Sequence, residues 1–133
     1  MSTEYMPADS DNIILRKALT VFGGVAQPGD TDNQLWRKIL ERLNTFGSDA
    51  TTPYFLGDTN NNLLRKILTR IANDAVFLGA SDSQALRPQV GDTDSALLRK
   101  LVTWLGGSPQ PGDTFNALLR QYLTGLNLGG NPI

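Results

Sequence analysis

A motif of twelve residues recurs five times along this chain of 133 residues. Its clearest copy reads Gly-Asp-Thr-Asp-Asn-Gln-Leu-Trp-Arg-Lys-Ile-Leu and runs from Gly29 to Leu40. The other copies span residues 8–19, 57–68, 91–102 and 112–123. Repetition constrains the fold strongly, because every copy is expected to adopt the same local structure and to pack against its neighbours.

The motif has the polar start and the apolar spacing of a short amphipathic helix. Position two is always Asp and position three is always Ser or Thr, residue types that cap helix N-termini by accepting a bond from a free backbone N–H. Positions seven, eight, eleven and twelve are apolar in nearly every copy, as in Leu63, Leu64, Ile67 and Leu68. This spacing forms one stripe along a helix and does not fit the alternation of a strand.

The predicted fold is therefore all-α, with five short amphipathic helices in a single domain over residues 1–133. A helix this short is marginal alone in water, so the five stripes should share one core. The spacing of equivalent Arg residues is uneven, whereas a regular solenoid keeps a constant period. We expect a compact helical array or bundle with two longer loops, about residues 49–56 and 77–90, and a single helical turn before Pro88.

The composition and the residues at fixed positions of the motif argue against catalysis and metal binding. The chain has no Cys and no His, which removes thiol nucleophiles, thiolate and imidazole metal ligands, and the commonest general base. Asp30 and Asp32 alternate as at the start of a calcium-binding loop, but the Gly and Glu required at its sixth and twelfth places are missing. We predict no enzyme activity, no catalytic residue, no cofactor and no metal.

The charge distribution argues against nucleic acid, and the hydropathy pattern argues against a membrane. The net charge is −1, and the basic residues at positions nine and ten are nearly balanced by acidic residues at positions two and four. No apolar run approaches the length that spans a bilayer, and residues 1–7 lack the features of a signal peptide. Synthesis in a cytoplasm is expected.

Arg occupies position nine in all five copies, at the edge of the apolar stripe. A guanidinium can pair with a carboxylate through two hydrogen bonds, and the Asp at position two is the obvious partner. Since these positions are about two turns apart on one helix, we expect the pairs to join neighbouring repeats, and we expect the Lys at position ten to be a solvated charge without a partner. The predicted link residues are Asp9, Asp30, Asp58, Asp92, Asp113, Arg16, Arg37, Arg65, Arg99 and Arg120.

Four aromatic residues stand outside the apolar stripes. Tyr5, Tyr54 and Phe55 lie outside the repeats, and Phe115 lies at the start of the fifth predicted helix. Exposed aromatic side chains frequently anchor protein interfaces. We therefore predict that these four residues contact a partner.

The segments PGDTDNQLWRKIL, LGDTNNNLLRKIL and VGDTDSALLRK resemble short repeats in open reading frames of tailed bacteriophages. There the repeats often belong to virion proteins or lie beside genes for them. The likeness covers about half of the chain, through the five motifs. It implies a non-enzymatic structural or adaptor protein: a capsid decoration or cement protein, a neck or connector element, or a fibre-associated protein.

The same resemblance implies that the protein is made in the host cytoplasm and resides in the virion. Its partners would be other virion proteins, contacted in many copies on a symmetric assembly. The first and fifth copies depart from the motif, as capping or docking ends of an array would. A second interpretation stays open, a cellular helical-repeat adaptor that binds a peptide or RNA.

Overall fold

A computed structural model describes residues 6, 8–45, 55–73 and 83–127. These residues contain helices and no strand, which confirms the all-α prediction. Five of the six helices coincide with the five motifs, and the short fourth one is the turn predicted before Pro88. The helices are α1 (Asp11–Val21), α2 (Asp32–Asn44), α3 (Asn60–Ala72), α4 (Ser83–Leu86), α5 (Asp94–Trp104) and α6 (Phe115–Gly125).

The hydroxyl residue in position three is the N-cap of every motif helix. In each copy the side-chain oxygen of this residue accepts a hydrogen bond from the backbone N–H three residues later, as Thr59 does from Asn62. Thr31 and Gln34 form the complete reciprocal capping box. The predicted N-caps are confirmed, and each satisfies a backbone donor that the helix itself leaves free.

A tight turn precedes each motif helix, and the Asp at position two closes it. In the second copy the Asp30 N–H donates to the Gln27 carbonyl at 3.0 Å, and the Gln27 N–H donates to the Asp30 carboxylate at 2.8 Å. The same two bonds recur in the other copies. We name these segments motif turns: residues 6–9, 27–30, 55–58, 89–92 and 110–113.

The five motif helices form a closed ring in which neighbouring helices are parallel. Asn12, near the start of α1, donates to Asp32 at the start of α2. Phe22, just beyond the end of α1, accepts from Arg42 near the end of α2. Packing follows the order α1, α2, α3, α5 and α6, and α6 then packs on α1. The fully described connections, residues 22–31 and 105–114, therefore run from the end of one helix back to the level at which the next helix begins.

Positions seven, eight, eleven and twelve of all five copies fill the centre of the ring. Their side chains are at most 1% exposed, and they belong to one hydrophobic cluster. Position eleven carries its smallest residue, Ala18, on α1 and its largest, Tyr122, on α6. Because α1 and α6 are neighbours, a small and a large side chain of the same layer lie on adjacent helices, as dense packing favours.

The first and fifth copies are not the capping ends of an open array, which corrects that prediction. Asn116 near the start of α6 donates to Asp11 Oδ1 at 2.7 Å, although 105 positions separate the two residues. The stripes of α1 and α6 are covered by each other, so neither needs a polar cap. Among the described helices, none has the length and apolarity needed to cross a membrane.

Candidate functional site

The polar links between repeats are centred on the Asn at position five. The Asn61 Nδ2 donates to the Asp92 carbonyl at 3.1 Å and to Asp94 Oδ1 at 2.8 Å, both in the next repeat. Its Oδ1 accepts from Arg65 Nε at 2.7 Å. The same three bonds are made by Asn12, Asn33 and Asn116.

The Arg at position nine holds the motif turn of the next repeat. The Arg16 guanidinium donates to the carbonyls of Gln27 at 2.8 Å, Pro28 at 3.1 Å and Asp30 at 3.1 Å. Arg65 contacts two carbonyls of the following turn, those of Gln89 and Asp92, both at 3.0 Å. The fork of the guanidinium suits this task, since its donors are fixed in one plane.

Four of the predicted Arg–Asp pairs are hydrogen-bonded between neighbouring repeats, and the accepting atom is the Asp backbone carbonyl: Arg16–Asp30, Arg37–Asp58, Arg65–Asp92 and Arg120–Asp9. The carboxylates of these Asp residues also lie within reach of the Arg charge: after the bonds from Lys38 and from the Gln27 N–H, the charge of Arg16 helps to lower the pKa of Asp30. The Asp carboxylate accepts from the N–H that begins its own motif turn, as Asp30 does from Gln27. The carbonyls of the turn therefore point to the Arg of the preceding repeat. The predicted link residues all lie at contacts between repeats, where each Arg donates to carbonyls of the next motif turn and each Asp closes that turn: Asp9, Asp30, Asp58, Asp92, Asp113, Arg16, Arg37, Arg65, Arg99 and Arg120.

The Lys at position ten is also corrected, because it is not an unpartnered solvated charge. Lys66 Nζ lies 2.5 Å from the Asp58 carboxylate of its own repeat, and Lys17 Nζ lies 2.6 Å from that of Asp9. Lys38 and Lys100 form the same pair with the Asp eight residues earlier. The long Lys side chain extends back beyond the helix start to the motif turn. Lys17 is 6% exposed, so its stem also contributes to packing.

The fifth copy replaces this ion pair by a neutral hydrogen bond. Gln121 Nε2 donates to the Asp113 carboxylate at 2.7 Å. The bond from Lys66, followed by the N–H of Phe55, holds the pKa of Asp58 below its ordinary value. For Asp113 the backbone N–H of the turn lowers the pKa most, and the Gln121 side chain comes second. Both carboxylates are therefore ionised at neutral pH.

The aromatic residues predicted to contact a partner have different positions. Tyr5 and Tyr54 lie outside the described residues. Phe115 is half-buried and packs against the core, so it belongs to the fold. Phe55 is 66% exposed, and Lys66 Nζ stands 4.3 Å from the centre of its ring.

Phe55 has exposed apolar neighbours that the sequence reasoning missed. Leu56 follows it in the motif turn before α3, and Val90 lies in the motif turn before α5, the next helix around the ring. Leu56 is 88% exposed and Val90 is fully exposed. We call Phe55, Leu56 and Val90 the apolar rim. The sequence signal was available, since other motif turns carry Pro where these two carry Leu and Val.

The recurring polar residues thus perform structural tasks within the ring. Within the described ranges, no group of three or more acidic side chains is placed to hold a metal ion. Comparison with models of protein families, with curated proteins and with solved structures finds no match to this chain.

Proposed function

We propose that the protein is a non-enzymatic structural or adaptor protein of a phage virion and that it acts through protein–protein contacts. The motif's resemblance to phage repeats suggests the setting. The observation that carries the contact mechanism is the apolar rim, whose three side chains are 66% exposed or more. Exposed apolar side chains grouped on one edge are typical of surfaces that meet another protein.

The internal use of the motif's polar residues supports this proposal. Asp, Asn, Arg and Lys recur because each ties a motif turn to a helix or one repeat to the next. A ring held in this way is a rigid platform that presents its turns at fixed positions. Rigid presentation favours binding, because little conformational entropy is lost when the partner docks.

The bonding of the basic residues favours this proposal over an RNA adaptor. Arg16 and Arg65 donate to backbone carbonyls, while Lys66 and Lys100 pair with carboxylates. A phosphate backbone would have to compete with these partners for the same N–H groups. RNA binding draws its affinity from cations that are available to phosphates.

Mass spectrometry of gradient-purified particles of the phage that encodes the chain tests the proposal. We expect the protein in a fixed ratio to the major capsid protein, and we expect Phe55→Ser with Val90→Ser to reduce that ratio at least about tenfold, as loss of interface anchors does. Val25→Ser is the matched control, because Val25 is 70% exposed but lies outside the rim. Abundant protein in the lysate with none in the particles would refute the proposal, and salt-sensitive retention on RNA would favour the adaptor.

A further inference from the structure

The contact between α6 and α1 closes the ring between the two ends of the chain. Four of the five repeats have a donor face formed by the Asn at position five and the Arg at position nine, and the fourth repeat has Ser95 in place of the Asn. Each repeat has an acceptor face formed by its motif turn, and in the first four repeats the side chain at position four also accepts. The donor face of the fifth repeat meets the acceptor face of the first: Asn116 and Arg120 donate to the Asp9 carbonyl, each at 3.3 Å.

This closing contact repeats the bonds that join covalently connected neighbours. Asn116 donates to Asp11 Oδ1 at 2.7 Å, and Asn12 donates to Asp32 Oδ1 at 2.8 Å. Only ten residues, 22–31, connect α1 to α2, whereas α6 and α1 are at opposite ends of the sequence. Recognition between the faces therefore does not depend on a short connection, and the first repeat of a second molecule offers the same acceptors.

Chain entropy makes this contact the last to form. Asn116 and Asp11 are 105 positions apart, while the corresponding partners in the other contacts are 20 to 33 positions apart. Closure entropy rises with this separation, and distant contacts form late in folding. Before closure, α6 and α1 expose apolar stripes that are fully covered in the ring, and such surfaces associate between chains at high concentration.

We propose that the α6–α1 contact is a docking interface for a second copy of this chain. In the exchanged dimer, α1–α3 of one molecule and α5–α6 of the other complete one ring, and the remaining helices complete a second. Every polar link and core contact of the ring is retained, so exchange costs little stability. The exchange places α3 and α5 of each molecule in different rings, and the stretch of sequence between these two helices, residues 73–93, is the longest between motif helices.

Paired cysteines can test this proposal, because the chain contains no Cys. Asp11→Cys with Asn116→Cys marks the α6–α1 contact, and Asn12→Cys with Asp32→Cys marks the α1–α2 contact with the same two residue types. Each full-length variant is refolded at micromolar and at near-millimolar concentration and treated with a short bis-maleimide. Denaturing electrophoresis then separates monomers from covalent dimers.

We expect covalent dimers from the α6–α1 pair, with a yield that rises about tenfold or more toward millimolar concentration, where a partner competes with the intramolecular face. The α1–α2 pair should give cross-linked monomers alone, because both helices stay in one molecule. Monomers from both pairs at both concentrations, or equal dimer yields from both, would overturn the proposal. Light scattering on the unsubstituted chain is the second readout: twice 14.5 kDa at high concentration supports exchange, and 14.5 kDa throughout contradicts it.

Discussion

The α6–α1 contact and the α5–α6 contact hold the ring by different means. α6 and α1 have the full set of Asn and Arg bonds although they are at opposite ends of the sequence. α5 and α6 have a connection of ten residues, 105–114, but Ser95 stands at position five and Phe115 at position four. There, Arg99 still bonds the carbonyls of Gln110 and Pro111, at 2.7 and 3.0 Å.

Comparing the two contacts shows which bonds of the link are kept and which are replaced. Arg holds the next motif turn at both contacts, while the Asn bonds are replaced at α5–α6 by the half-buried ring of Phe115, which packs on the core. The complete link is also made at α1–α2, where a connection of ten residues supplements it. At α6–α1 no short connection does so. Polar bonding is therefore expected to matter most for stability at the α6–α1 contact.

The largest expected effect comes from removing the Asn at the closing contact. Asn116→Ala should lower the free energy of unfolding by about 2 to 4 kcal/mol, because two donor bonds and the acceptor for Arg120 are lost. Ser95→Ala, at the equivalent position of α5, should change it by less than about 0.5 kcal/mol. Urea denaturation of both variants measures the difference. Equal losses would show that the two contacts do not differ in the way described.

Substitution of Tyr122, which also lies on α6, should raise the stability, whereas substitution of Asn116 lowers it. Its hydroxyl is buried and has no hydrogen-bond partner among the described residues, and burial raises the pKa of this group. Tyr122→Phe removes the unsatisfied oxygen and keeps the ring, so the free energy of unfolding should rise by about 1 kcal/mol. Thermal unfolding followed by circular dichroism checks the sign. A lower melting temperature would mean that the hydroxyl contributes to stability.

The pH dependence should distinguish the ion-paired copies from the fifth. The pKa of Asp58 is lowered chiefly by Lys66, so the ionised carboxylate stabilises the fold above its unfolded value of 3.8, and this contribution is lost as the pH falls through the lower folded value. The melting temperature should be flat near neutrality and should drop below about pH 4. Asp58→Asn should lower the neutral melting temperature and flatten the acid drop.

Asp113→Asn is the matched variant for that experiment. Its carboxylate has no Lys partner and is held mainly by a backbone N–H. The decrease in melting temperature caused by Asp113→Asn should therefore depend less on salt than the decrease caused by Asp58→Asn. A series at low and high ionic strength makes the comparison, because screening weakens ion pairs more than neutral hydrogen bonds. Identical salt dependence in the two variants would contradict the assignment.

The smallest expected effect is a small increase in stability from restoring the motif residue at position ten of the fifth copy. Gln121→Lys restores the motif residue and should give the fifth copy the ion pair that Lys100 makes with Asp92. The melting temperature should rise slightly at low salt, and the gain should vanish at high salt, since exposed pairs contribute little. Differential scanning calorimetry at two ionic strengths measures this change in melting temperature. A loss of stability would indicate that Gln121 has packing contacts that Lys cannot keep.

The sequence predicted what depends on residues within about four positions of one another. The N-caps, the helices and the buried stripe follow from local spacing. The atom that accepts from Arg could not be predicted in this way, because backbone carbonyls occur at every residue and leave no mark in the sequence. The Lys–Asp pair was missed because it spans the motif turn as well as the helix, and ring closure because it joins residues 105 positions apart.

The parallel arrangement of the helices has an electrostatic consequence. Antiparallel neighbours cancel their peptide dipoles, but here five dipoles point the same way, each equivalent to roughly half a positive charge at its N-terminus. The acidic residues that open the first turns, Asp11, Asp32 and Asp94, stand where this field is strongest and offset it. In three of the five motif helices, an acidic residue in the first turn thus stabilises the parallel arrangement.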